Sequence, residues 1–386
     1  MSEGISSSAE NSEISLFSAC NSWKKVLYSP TITQEEGFCN MSWRNIFILA
    51  LIIGAVHVVL VLCFSGGCRG CSSDPANKES IQEKGGDSAD GSDTDEKPLP
   101  PPSVKAPAVK PWNYSNVAAL PQKLAAQSAR ARSGIIVELD SRRVLWEKNS
   151  RSEVPVASLT KLMTALLVAE ELENNPKFSP NDMVEISKTA AVTPYRKFNA
   201  GEVLTVKDLV AAMMVCSAND AAVQLAEQVS GSEKEFVKKM NLRAGELGLI
   251  TGKFNSSNGL PQGKKRENSI STASDIIHLC EALMNFDVIT DVCGKSLVKL
   301  STGRLVYTTN GLLLHPTKGR SYRRKVPGMI GFKTGYTEAA GCCLAFGVTR
   351  DGKTVLGCVT GFRSAADRER FCNDLIEWAY KTQVKK

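Results

Sequence analysis

A serine and a lysine stand three residues apart at Ser158-Leu159-Thr160-Lys161. Residues at that spacing are neighbours on a helix, so the Lys161 amine can reach the Ser158 hydroxyl. A serine hydroxyl attacks a carbonyl only once a base takes its proton, and a desolvated lysine can serve as that base. Many helices carry Ser-x-x-Lys by chance, and the pair alone decides nothing. Two further polar stretches follow: Ser217-Ala218-Asn219 and Lys333-Thr334-Gly335. By themselves they read as a capped helix break and the end of a strand.

The elements that must hold these residues are legible from pattern. Pro155 keeps the preceding backbone extended, which puts Ser158 in the first helical turn. Leu159, Leu162, Met163, Leu166 and Leu167 then give the spacing of a helix with one buried face. Upstream, Ser133–Leu139 and Arg143–Glu147 flank Asp140-Ser141-Arg142 as a β-hairpin. Thr205 with Asp208, Ser232 with Glu235, Thr272 with Asp275 and Ser364 with Asp367 each mark a helix start in capping-box fashion. The helix begun at Thr205 stops at Cys216-Ser217-Ala218-Asn219-Asp220, and a helical pattern resumes at Ala221. A basic, poorly periodic stretch then gives way to strands at Met329–Lys333, Cys343–Thr349 and Thr354–Thr360. The last two are joined through Asp351-Gly352, a strong hairpin signal. Strands at both ends with helices between predict an α+β fold: one antiparallel β-sheet flanked by helices, plus a helical subdomain, with the active site in the cleft between them.

The chain of 386 residues carries net charge +7. Residues 1–112 hold 9 Lys and Arg against 13 Asp and Glu; residues 113–386 hold 38 against 27, a net +11. A basic body favours anionic partners, whether carboxylate-bearing peptides, nucleic acid or an anionic polymer, and composition does not choose among these. Long Lys/Arg runs mixed with aromatics are absent, the densest being Lys264-Lys265-Arg266 and Arg323-Arg324-Lys325, so no nucleic-acid binding is expected. Seven of the twelve cysteines lie in the body, without a C-x-x-C pair, and no metal, cofactor or specific disulfide is expected. Ile46–Phe64 is an uncharged apolar run of nineteen residues, long enough to span a bilayer. Lys24, Lys25 and Arg44 precede it and only Arg69 closely follows, which predicts a cytoplasmic tail and an exported body. Cleavage after Ser65-x-Gly67, or lipidation of Cys68, are rival readings of an otherwise uncleaved anchor; all three export the body. The expected division is a tail (1–45), a transmembrane segment (46–64), a Pro/Ser/Asp-rich disordered linker (65–113) and a catalytic domain (114–386).

In order, spacing and flanking sequence the three polar stretches resemble the S-x-x-K, S-x-N and K-T-G motifs of the penicillin-binding serine D-alanyl-D-alanine carboxypeptidases, the low-molecular-weight penicillin-binding proteins of peptidase family S11 type. The resemblance runs over about residues 114–382 and takes in Asn258-Gly259-Leu260 and Gly331–Thr337. It implies the fold shared by serine β-lactamases and penicillin-binding transpeptidases. It implies that Ser158 attacks the carbonyl of a terminal D-Ala-D-Ala bond, that Lys161 takes its proton and that Ser217 passes a proton towards the leaving amine. Lys333 would depress the Lys161 pKa and, with Thr334, bind the terminal carboxylate. Asn219 would bind the acyl-side peptide and position Lys161. The backbone N–H groups of Ser158 and Tyr336 would form the oxyanion hole, and Gly335 would let the substrate backbone lie close to the strand.

The partners implied are a peptidoglycan stem peptide, β-lactams as covalent inhibitors, and the bacterial cytoplasmic membrane, with the body in the periplasm or otherwise outside the cytoplasm. Many relatives add a β-rich domain and a C-terminal amphipathic anchor, for which the about fifty residues after Lys333 leave no room; the N-terminal segment is expected to replace that anchor. A D,D-endopeptidase and a catalytically silent penicillin-recognising sensor are the alternatives. A β-lactamase is disfavoured by Ala218 where class A enzymes have Asp. A Ser-His-Asp hydrolase is disfavoured because the body holds only His278 and His315, neither in a nucleophile-elbow setting.

Overall fold

The computed structural model describes residues 109–313 and 326–384. The expected tail, the apolar segment and nearly all of the linker lie outside the described residues, as do His315, Cys68 and the Arg323-Arg324-Lys325 run. Among the described residues no helix is long and apolar enough to cross a membrane.

A short helix, α1 (Gln122–Ser128), leads into the hairpin β1 (Ser133–Glu138) and β2 (Arg143–Lys148). After β3 (Val154–Pro155), a 3-10 turn over Ala157–Thr160 runs straight into α2 (Lys161–Asn174). Ser158 therefore sits in the tight turn that precedes the α-helix, entered through Ala157 at φ 47°. The pattern promised one buried face for α2, but every residue from Lys161 to Ala169 is buried. The reason is that helices surround it: α4 (Val206–Val215), α5 (Asn219–Ser230), α6 (Glu233–Glu246), α7 (Ala273–Leu283) and α8 (Asp287–Cys293) all pack against it. A helix so enclosed needs no polar face.

The capping signals hold. Thr205 and Asp208 close a reciprocal capping box on α4, and Ser232, Thr272 and Ser364 each accept the N3 backbone N–H of the helix they start. Sequence reading passed over α1, α8 and the four-residue α3 (Lys188–Ala191). It also passed over the small ribbons β4 (Met183–Glu185) with β5 (Val203–Thr205), β3 and β6 (Gly252–Lys253) with β7 (Ile270–Ser271), and β8 (Leu297–Lys299) with β9 (Leu305–Tyr307). Pieces of two to seven residues complete no hydrophobic period long enough to read.

The C-terminal strands are β10 (Met329–Thr337), β11 (Gly341–Arg350) and β12 (Lys353–Phe362), followed by α9 (Ala365–Trp378). Both chain ends join in one five-stranded antiparallel sheet, ordered β10-β11-β12-β1-β2. Asp351 and Gly352 both take positive φ at the β11–β12 turn, as a two-residue hairpin requires. Alternate residues serve opposite faces. Ile135, Val137, Ala345 and Cys358 join the helical subdomain in one core, while Ile136, Leu344, Phe346 and Val359 pack with Phe371 and Leu375 of α9 in the other. Cover on both faces is why β1 is buried at all six positions. The expected α+β architecture, with helices inserted between the ends of the sheet, is the one observed. Strand β10 runs four residues beyond Lys333, so the Lys333-Thr334-Gly335 stretch lies inside a strand at the sheet edge instead of closing one.

Candidate active site

Lys161 is wholly buried at the start of α2. Its Nζ lies 3.0 Å from Ser158 Oγ, 2.7 Å from Asn219 Oδ1 and 2.6 Å from the Asn258 carbonyl. The Asn219 carboxamide is oriented by its other end, whose Nδ2 donates to the Pro194 carbonyl at 2.9 Å. Two of the three neighbours of Lys161 are thus carbonyl oxygens that can only accept. A neutral amine has two N–H donors and one lone pair, so satisfying both carbonyls aims the lone pair at the Ser158 hydroxyl. That is the arrangement a general base needs.

The electrostatics favour the neutral amine. Burial, and next the nearby charge of Lys333, hold Lys161 well below the usual lysine value, against the opposing pull of Cys216, Asp220 and Glu233. Lys333 is buried too, on β10, and its ammonium group donates to the Thr334 carbonyl at 3.0 Å. Burial brings its pKa down to about 7, with Cys216 and Cys293 opposing and Arg368 adding to the fall.

Glycines let the pieces touch. A Cβ on Gly335 would stand 3.1 Å from the Val156 carbonyl oxygen, 3.2 Å from Ser158 N and 3.3 Å from Leu159 N. The close approach that Gly335 permits in this structure is of strand β10 to the Ser158 turn, a nearer reason for glycine than room for a substrate. Gly259, at φ 80°, brings the Asn258 loop against the other side of that turn, where a Cβ would fall 2.0 Å from the Ala157 carbonyl oxygen. Thr334 Oγ1 meets Thr309 Oγ1 at 2.5 Å, and the Thr309 amide donates to the Val215 carbonyl at the end of α4. Ser217 follows that end, half-buried at φ 61°, with no hydrogen-bond partner for its hydroxyl among the described residues. Tyr336 is 66% exposed, with its backbone one residue beyond Gly335.

Lys161 is therefore in direct contact with both Ser158 and Asn219, and Gly335 abuts the turn that carries Ser158. Lys333 acts on Lys161 through its charge, Thr334 is held through Thr309, and Ser217 and Tyr336 adjoin these groups along the chain. Of the two roles expected of Asn219, the geometry bears directly on the positioning of Lys161: its carboxamide accepts from Lys161 and donates to the Pro194 carbonyl.

Three contributors escaped the sequence reading. The Asn258 carbonyl is a backbone atom, invisible to residue type, although its Asn-Gly setting was on view. Glu233 accepts both the N–H and the hydroxyl of Ser257, at 2.9 and 2.6 Å, and so braces the Asn258 loop. Asp220 accepts the backbone N–H groups of Lys197 at 2.5 Å and Phe198 at 2.6 Å, fixing the loop that ends on Pro194 and Tyr195. The seven described cysteines are all free thiols, and among the described residues no cluster could hold a metal ion.

Comparison with known proteins points one way. The family described as D-alanyl-D-alanine carboxypeptidase matches residues 120–364. The D-alanyl-D-alanine carboxypeptidase DacF of Bacillus subtilis is 32% identical over 256 residues, which cover 65% of this chain and 62% of that one. DacC of Escherichia coli is 30% identical over 270 residues, covering 67% and 64%. The chain thus spans less than two thirds of the length of these curated relatives. A D-alanyl-D-alanine endopeptidase of Pseudomonas aeruginosa is 27% identical over 228 residues, covering 58% of this chain and 68% of that one. Among solved structures, penicillin-binding protein D2 of Listeria monocytogenes in its ampicillin-bound form superposes with a TM-score of 0.57 at 29% identity, covering 65% of this chain and 97% of that one.

Proposed function

This chain belongs to the D-alanyl-D-alanine carboxypeptidase family, and from that premise we propose that it is a serine D,D-carboxypeptidase that removes the terminal D-alanine from peptidoglycan stem pentapeptides. The observation that carries the reading is the buried Lys161 amine, held between two carbonyl acceptors with Ser158 Oγ as its third neighbour. Lys161 takes the Ser158 proton as Oγ bonds to the penultimate D-Ala carbonyl carbon. The oxyanion that forms is held by the backbone N–H groups of Ser158 and Tyr336. As the C–N bond breaks, the departing amine receives a proton passed from Lys161 by way of Ser217. Water then attacks the ester on Ser158 as it gives a proton to Lys161, and Lys161 hands that proton to Ser158 Oγ as the ester C–O bond breaks and the shortened peptide leaves. Lys333 and the Thr334 hydroxyl hold the terminal carboxylate, and the open edge of β10 receives the peptide backbone as an added strand.

A β-lactam carbonyl offered to the same serine would acylate it, in keeping with the ampicillin-bound relative. We place the catalytic domain (114–386) outside the cytoplasm of a bacterium, single-pass anchored through residues 46–64 with the tail (1–45) inside, and joined by the linker (65–113). The apolar run and its flanking charges support this. A mass spectrum after exposure to ampicillin tests the nucleophile: one covalent adduct on the peptide holding Ser158 is expected, and an unmodified Ser158 overturns the reading. Relatives named endopeptidases favour one second reading, cleavage of cross-links by the same residues. A muropeptide digest separates the two, since loss of D-alanine from monomers marks the first and disappearance of dimers the second.

A further inference from the structure

The loop between β4 and β5, whose Pro194 carbonyl accepts from Asn219, carries a feature the mechanism above does not use. Between Glu185 and Glu202 the chain has no acidic residue but holds Lys188, Arg196 and Lys197, all exposed. Tyr195 is 81% exposed and held at φ 61°, a conformation unusual for a bulky residue. Such strain persists only where the surroundings over-determine it. Here the flanking residues are tied down. Pro194 accepts from Asn219, Lys197 and Phe198 donate to Asp220, and the Arg304 guanidinium both lies over the Phe198 ring and donates to the Lys197 carbonyl at 2.7 Å.

The loop also stands close to the reacting atoms. The Pro194 carbonyl is one carboxamide away from the Lys161 amine. The Lys197 charge is felt at the Cys216 thiol, next to Ser217, where it offsets part of the upward push of burial. The backbone that carries an exposed aromatic ring and two exposed cations is thus fixed beside Asn219, at the start of α5. No carboxylate in the loop is there to neutralise the cations, and the buried Asp220 is occupied by backbone N–H groups.

We propose that Tyr195, Arg196 and Lys197 form a subsite for a carboxylate-bearing residue of the peptide upstream of the cleaved bond. The cations pair with its carboxylate and the Tyr195 ring covers its backbone. This rests on the carboxypeptidase reading and narrows its substrate class to acidic stem peptides. Exposed ion pairs are weak singly, so two cations are worth roughly three- to tenfold in kcat/KM, less at high salt.

The test uses the full chain and three peptides: N-acetylated Lys(acetyl)-D-Ala-D-Ala, and the same peptide extended by a glutamyl or by a glutaminyl residue. Hydrolysis of the unextended peptide establishes the carboxypeptidase activity independently; its absence defeats that reading and the proposal with it. Given activity, the wild type is expected to prefer the glutamyl peptide over the glutaminyl one, with the preference shrinking in 0.5 M salt, where the Debye length falls to roughly 4 Å. The R196Q/K197Q variant brings the ratio to about one, whereas K123Q/K381Q, which removes the same charge from exposed positions on α1 and after α9, on the other face of the sheet, leaves it unchanged. Penicillin acylation stoichiometry confirms that each variant is folded. A wild-type ratio near one, or a ratio that survives R196Q/K197Q, overturns the proposal.

Discussion

Replacing Gly335 by alanine probes how closely strand β10 must approach the Ser158 turn. The new methyl would meet three backbone atoms at 3.1, 3.2 and 3.3 Å, whereas comfortable contacts begin near 3.5 Å, so strand and turn must part by about 0.3 Å. No flexible side chain is available to absorb the shift, because all three atoms are main chain. Overpacking of that kind costs about 1–2 kcal/mol, or roughly 3–6 °C in Tm for a body of this size. The same displacement separates the Ser158 and Tyr336 N–H groups, which must both lie near 2.7–3.1 Å from one oxyanion, so acylation should slow by about ten- to a hundredfold. Stopped-flow acylation with a fluorescent penicillin and a thermal melt measure the two effects. Gly245, with nothing within 4 Å of its would-be Cβ on α6, is the control: G245A should leave acylation intact and raise Tm slightly. Wild-type acylation in G335A would refute the argument, whatever happens to Tm.

Lys333→Met should abolish acylation yet stabilise the fold at pH 7. The native state sheds the Lys333 proton near pH 7 and the unfolded chain near 10.5, so wild-type stability rises with pH across that window and the deficit is complete below it. Calorimetry from pH 6 to 10 should find K333M ahead by several degrees at the acid end and the gap closing towards pH 10, and a less stable K333M at pH 7 contradicts this. Glu233→Ala should slow acylation about tenfold by freeing the Asn258 loop, while Glu233→Gln, which keeps a carbonyl oxygen for Ser257, restores most of the rate. Equal damage from both would assign the effect to charge instead. Of the seven described cysteines only Cys216 is not buried, so peptide mapping after iodoacetamide should find it alkylated before the other six, and more slowly once a β-lactam occupies Ser158.

What could be read from the sequence follows from where information resides. In the proposed mechanism Ser158, Lys161, Ser217, Asn219 and Lys333 act through their side chains, the kind of information that residue type and order carry. The Asn258 carbonyl, the fit of Gly335 and the strained turn at Tyr195 act through backbone position, which residue type does not encode. The capped helices and the Asp351-Gly352 hairpin were plain because each is a local signal. The encirclement of α2 and the reach of β10 through Thr337 were not, because they depend on neighbours far away in the chain.

The pairing of β1 with β12 carries a consequence for how activity arises. Ser133 is registered against Thr360, and the strand that supplies Lys333 is joined to β1 only through β11 and β12. During synthesis the serine and its lysine are made long before the strands that complete their surroundings, and the helical insert must wait with an uncovered face. The proposed activity cannot switch on by degrees as the chain is made. Reactivity arrives in a single step when the last two strands dock, which also means that any chain interrupted before β12 should carry every motif residue and bind no penicillin.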